Sequence, residues 1–207
     1  MTERLQARLG VDSVLSPLLQ ALIASPDAAV ARTAMSLLAA QARFAQSQRR
    51  MTLSIVELPG DMLHEVLLVL RSTISEHFAA HVRGTEMTIR SRYDESASRL
   101  GLMSQIVTGM GTGAVAALSL THAGVAIFVA ALAQRSGQSR DLAILSTNET
   151  QVTRLIVGLR TAGLLQQAIE EQVLILHPEM NLPVELDQLE IADAADMLAN
   201  STRMDGG

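Results

Sequence analysis

Residues 101–134 read GLMSQIVTGMGTGAVAALSLTHAGVAIFVAALAQ, and the way this run is read decides the fold. It contains no Asp, Glu or Arg, and His122 is its one titratable side chain. Three architectures compete for it. The portion Ala114–Ala133 has about the length of a bilayer-spanning helix. Against a span stand its Ala-rich composition, His122 and Gly124 near its centre, and Thr121 as a helix cap. The hexad Gly109-Met110-Gly111-Thr112-Gly113-Ala114 fits the dinucleotide fingerprint G-x-G-x-x-A, with Ile106-Val107 as the preceding strand. That chemistry needs a βαβ unit and an acid about 20 residues further on to hold the ribose hydroxyls. No acid stands between Glu95 and Asp141. The third reading is a central helical hairpin, apolar all round because neighbouring helices cover it. Its second helix starts at Thr121 and runs through Val125, Phe128, Val129 and Leu132. We adopt this third reading.

Outward from this centre nearly every segment has helical spacing. Ser16-Pro17 starts a short helix over Leu18–Ala24, and Ser25-Pro26-Asp27 repeats the signal for a helix reaching about Arg50. After Glu57-Leu58-Pro59-Gly60, Asp61 caps a helix whose Met62, Leu63, Val66, Leu67 and Leu70 form one apolar stripe. Ile74, Phe78 and Val82 continue at i, i+4 and i+8 on a helix ending near Gly84, and Thr85–Leu100 reads as a separate polar helix. Ser146-x-x-Glu149 is a capping box for a helix through Val152, Leu155, Ile156 and Leu159 that stops at Gly163. The state of Val173–Leu176 is left open, and a last weak helix covers about Leu186–Ala199. Alternating β-branched runs are missing. The fold class is therefore all-α, about nine helices packed as helical hairpins, in a bundle or a short HEAT-like array. Pro26-Asp27-x-x-Val30-x-Arg32-x-Ala34 looks like half of a HEAT-type repeat. A single domain over 1–207 is expected, with 1–100 and 101–200 as its natural subdivision.

Composition closes off several chemistries. The chain has 207 residues, 48% of them apolar and 18% charged, enough to build a core. Without Cys there is no disulfide, thiolate nucleophile or zinc ribbon. All 16 basic residues are Arg, which removes Schiff-base and P-loop lysines. The net charge of −5 is uneven: residues 1–56 carry six Arg against three acids, residues 100–207 five against eleven. Such an acidic C-terminal part points away from nucleic acid. His77 and His81 stand one helical turn apart, but Phe78 occupies the place of a metalloprotease's Glu and no third ligand follows at a telling spacing. Neither metal nor cofactor is expected. No G-x-S-x-G elbow or other local pattern links the Ser and His residues. Met1-Thr2-Glu3-Arg4-Leu5 lacks the apolar segment of a secretory signal, so a cytoplasmic location without a membrane span is expected.

Two resemblances remain. Residues 139–177 resemble the helix-turn-helix and wing of winged-helix regulators. The recognition helix would be Thr150-Gln151-Val152-Thr153-Arg154-Leu155-Ile156, and Val173–Leu176 the returning wing strand. The resemblance implies that Thr150, Gln151 and Arg154 face the DNA major groove. Against it, Ser139–Leu176 carries three Arg and four acids, a poor balance for neutralising phosphates. Across about 30–180 the chain is similar to a bacterial all-helical family classed only as a domain of unknown function, HEAT-like in its longer members. That similarity is carried by Glu57-Leu58-Pro59-Gly60-Asp61-Met62-Leu63, Ala123-Gly124-Val125-Ala126-Ile127-Phe128 and Gln138-Ser139-Arg140-Asp141-Leu142-Ala143. It implies an all-α fold and brings no activity with it. The expected function is that of a non-catalytic helical module binding another protein, or a second copy of itself, through an apolar helix face; Leu63, Leu67 and Leu70 belong either to that face or to the core. A DNA-binding regulator is the alternative.

Overall fold

The computed structural model describes residue 10, residues 12–180 and residues 189–204. Among them are ten α-helices and no strand, so the chain is all-α as its spacing predicts. The Ser16-Pro17 signal works as read: the Ser16 hydroxyl accepts the Leu19 amide hydrogen at 3.3 Å and starts α1, Pro17–Ile23. Helix α2, Ala28–Arg49, begins two residues later than Ser25 suggests. The Asp27 carboxylate takes the cap, accepting from the Ala29 and Val30 amides, while Ser25 accepts from the Asp27 amide. A carboxylate at this end also meets the positive end of the helix dipole.

A 3-10 turn at Ile55–Glu57 leads to α3, Gly60–Thr73, and a second at Glu76–Phe78 leads to α4, Ala79–Arg92. Gly84 therefore does not end a helix: it lies inside α4 and is not among the positive-φ glycines. The stop falls at Tyr93, whose backbone turns extended and whose hydroxyl donates to the Leu58 carbonyl at 2.7 Å. Thr85–Leu100 is thus not one polar helix but the end of α4, a 3-10 turn at Glu95–Ala97 and the start of α5, Arg99–Gly109. Ser98 caps α5 by accepting the Gly101 amide at 3.0 Å. Gly101 is required there, because a Cβ would overlap the Glu95 carbonyl oxygen.

Beyond α5 the uncharged run continues as a 3-10 helix, Gly111–Leu118, followed by α6, Leu120–Ser136. Gly124, at φ 74° and ψ 159°, breaks α6 after its first turn, in a region of backbone space reserved for glycine. Thr121 is not the cap. The Leu120 amide instead donates to Gln172 Oε1 at 2.8 Å, a buried bond between residues 52 apart in sequence. No single helix among the described residues is long and apolar enough to cross a membrane, since Ser119 and Gly124 interrupt Ala114–Ala133. Gly137, at φ 71°, ends α6 in the left-handed conformation.

Helix α7, Arg140–Ser146, leads through a 3-10 turn at Glu149–Gln151 to α8, Val152–Thr161. The expected capping box does not form. Ser146 lies inside α7 with its hydroxyl donating to the Ala143 carbonyl, and Asn148 accepts the Thr150 amide instead. Gly163, at φ 100°, follows α8 as read, and α9, Gln166–Leu176, comes next. Val173–Leu176 is therefore helical. Helix α10 spans Ile191–Met204; Leu186, where this helix was expected to begin, lies outside the described residues.

One apolar cluster unites α1, α2, α5, the Gly111–Leu118 segment and α6 through α9. Phe128 is fully buried at its centre, and Leu18, Leu19 and Leu37 join it from the N-terminal side. A small second cluster, Val157 with Ala194 and Leu198, fastens α10 to α8.

Candidate functional site

Leu63, Leu67 and Val82 are buried but belong to neither cluster. They lie on a separate helical hairpin, α3 against α4, where Leu70 is half-buried. Within α3 the residues one position earlier, Met62, Val66 and Val69, repeat the same i, i+4, i+7 spacing. One residue is about 100° of helix rotation, so this second stripe points to a different side. It is exposed: Val69 is 61% accessible where Leu67 is 1%. The single stripe expected from sequence is thus two, and only one is covered. Leu63 and Leu67, read as either part of a binding face or core, are buried.

Phe78, placed by spacing on the same face as Val82, is 56% exposed, because it precedes α4 rather than lying within it. Met87 on α4 is 70% exposed. Nine of the seventeen exposed large apolar side chains among the described residues fall between Met51 and Met87. Exposed apolar side chains are ordinary singly; their concentration in this one segment, with Met62, Val66, Leu68 and Val69 all on α3, is the informative feature.

Polar contacts fix the hairpin. Arg90 pairs with Glu86 at 3.0 Å, one turn apart on α4, and its Nη2 lies 3.3 Å from His64 Nδ1 on α3. Arg71 reaches Glu86 at 4.0 Å, but its exposure makes that pair weak. At the base, Tyr93 braces Leu58, and Glu57 Oε2 accepts the Arg99 amide at 3.2 Å. Burial, then the carboxylates of Glu95 and Asp61, push the Tyr93 hydroxyl above its usual value of 10.0.

The other expected residues distribute as follows. Thr150 and Gln151 are exposed in the 3-10 turn before α8, and Arg154 is half-buried on α8, while Val152, Leu155, Ile156 and Leu159 face the core. The helix pair α7–α8 exists, but α9 replaces the wing strand. Ile106 and Val107, imagined as the strand before a dinucleotide loop, are core residues of α5. His77 lies in the 3-10 turn, edge-on to Phe78 at 5.2 Å, and His81 in α4, so the two do not share one α-helical face. Among the described residues no group of three His, Asp or Glu side chains is placed to hold a metal ion. A groove of about 460 Å³ runs along α5 beside Ser96, Ser104, Gln105 and Thr108. One feature had no sequence signal: the Arg99 guanidinium lies 4.0 Å over the Phe44 ring. Burial lowers its pKa, Glu57 opposes that and Arg140 adds to it.

Comparison of the chain with protein-family models, curated proteins and solved structures gives no match. The resemblance at 57–63, 123–128 and 138–143 therefore rests on those residues alone.

Proposed function

We propose that the chain is a helical protein–protein interaction module that acts by binding rather than by catalysis, through the exposed side of the α3–α4 hairpin. The supporting observation is the uncovered stripe Met62, Val66 and Val69, on a helix whose adjacent stripe is already buried. The partner presents an apolar helix face of its own, supplied by another protein or by a second copy. Helix-in-groove recognition uses this i, i+4, i+7 anchor spacing, and Met is an adaptable contact residue. A DNA-binding role for Thr150, Gln151 and Arg154 is the second reading, favoured by the exposure of the first two ahead of α8.

The test is affinity recovery from native lysate at low salt, with and without nuclease, by the parent protein and by the double variant Val66→Glu/Val69→Glu. A stoichiometric protein retained by the parent after nuclease and lost by the double variant is the expected result. Equal retention by both removes the hairpin from the interface, and a partner set that vanishes with nuclease moves the function to the α7–α8 pair.

A further inference from the structure

Helix α10 lies outside the main apolar cluster and packs chiefly on α8. Its seam is Ala194 and Leu198, one turn apart, closed over Val157 of α8 with Leu189 beside them. The remaining buried apolar side chains of α8, Val152, Leu155, Ile156 and Leu159, belong to the main cluster. Helix α8 is therefore anchored without α10. The seam covers only the centre of the apolar side of α10. By helical spacing Ile191 shares the side of Ala194 and Leu198, yet it is about half exposed, as is Met197.

One polar contact joins this seam. Arg160 Nε donates to the Leu189 carbonyl, two residues ahead of α10, at 2.6 Å. Its Nη1 donates to the Leu164 carbonyl at 3.3 Å, which holds the guanidinium in place. The charges of the two packed helices are opposite: α8 carries Arg154 and Arg160 and no acid, while Asp193 and Asp196 stand exposed in the first two turns of α10. Such complementarity favours and orients association. A helix held by so small a seam opens before the main core does. The surface beneath it reads a small residue and a leucine one turn apart, acids on the flank and a carbonyl just ahead of the helix. Any helix carrying those features fits the same groove.

We propose that the α8 face around Val157 and Arg160 is a docking groove for an acidic amphipathic helix of a partner protein, with α10 as its in-chain competitor. This surface is separate from the α3–α4 stripe and does not depend on it.

The experiment follows fluorescence anisotropy of a labelled synthetic peptide of residues 189–204, titrated with the full chain. In the parent the tethered α10 has the advantage of a high effective concentration and keeps the peptide out. Leu198→Asp in the chain unseats its own α10 and should bind the unmodified peptide at least about tenfold more tightly than the parent does. Adding Val157→Asp to that variant should abolish the gain, and a peptide with Asp193→Asn and Asp196→Asn should bind several-fold more weakly. Should Leu198→Asp not fold, Asp193→Arg/Asp196→Arg changes only exposed positions, loosens α10 by charge and must show the same gain in smaller measure. Equal peptide affinity in the parent and the unseated variant, or a gain that survives Val157→Asp, overturns the proposal. A parent that is dimeric by light scattering and monomeric with Leu198→Asp has a second copy in the groove, which overturns the assignment to a partner protein.

Discussion

Helices α6 and α3 are both strongly apolar, yet one is enclosed and the other half-open. Around α6 stand α1, α5, α7, α8 and the Gly111–Leu118 segment, so Ala123 and the run Ile127–Ala133 are buried on every side. Helix α3 has α4 as its main neighbour, and each of its two adjacent stripes would need one. The difference teaches that apolar content alone does not mark a core: enclosure depends on how many elements the chain returns to the same place.

The comparison predicts a graded response to substitution. The largest effect belongs to Phe128→Ala, expected to destabilise the whole domain by about 3–5 kcal/mol. Leu67→Ala, at about 2 kcal/mol, should loosen the hairpin and leave the main denaturation midpoint nearly in place. If both variants shift the main midpoint equally, the hairpin is not a separate unit. Next comes Gln172→Leu, which strands the Leu120 amide and should cost about 1–3 kcal/mol in the same main transition.

The base of the hairpin is tested through Tyr93, the single tyrosine of a chain without tryptophan. Its folded-state pKa lies above the unfolded 10.0, so folded protein holds the proton more tightly. Stability from this source is intact below pH 10 and falls as pH rises from there through the folded pKa, the range in which only the unfolded chain has lost its proton. Ultraviolet titration of tyrosinate should show a midpoint above 10.0, and Tyr93→Phe should lose this pH dependence along with about 0.5–1.5 kcal/mol from the bond to Leu58. A midpoint at or below 10.0 contradicts this direction of shift. The smallest effect is expected from Val66→Glu, within about 0.5 kcal/mol of the parent by denaturant melt. A loss of several kcal/mol would mean that the stripe is already covered.

What was legible in the sequence was what local chemistry decides. Ser16 with Pro17 starts a helix, and Gly163 follows one, because cap and stop depend on residues a few positions apart. The all-α class and the buried run Ile127–Ala133 follow from spacing and the absence of charge in the same way, whereas Ser104, Gln105, Thr108 and Gly111–Gly113 of the same uncharged stretch are exposed. Capping went wrong where two groups competed: Asp27 over Ser25, Asn148 over Ser146, and Gln172 from 52 residues away over Thr121. Gly84 failed as a stop because glycine ends a helix only when its backbone turns left-handed, which spacing does not reveal. The site was half-legible. Periodicity identified α3 as amphipathic, but could not say that Leu63 and Leu67 would be covered while Met62 and Val69 would not. Arg99 over Phe44 joins residues far apart in sequence, with no pattern to announce it.

The placement of Leu63, Leu67 and Val82 outside the main cluster also has a consequence for hydrogen exchange. A hairpin outside the main cluster can open without the rest, so amides in α3 and α4 exchange through a low-energy excursion of their own. Amides around Phe128 and Leu155 must await global unfolding. The molecule thus has two clocks, and anything that seats on Val66 and Val69 will slow the faster one first.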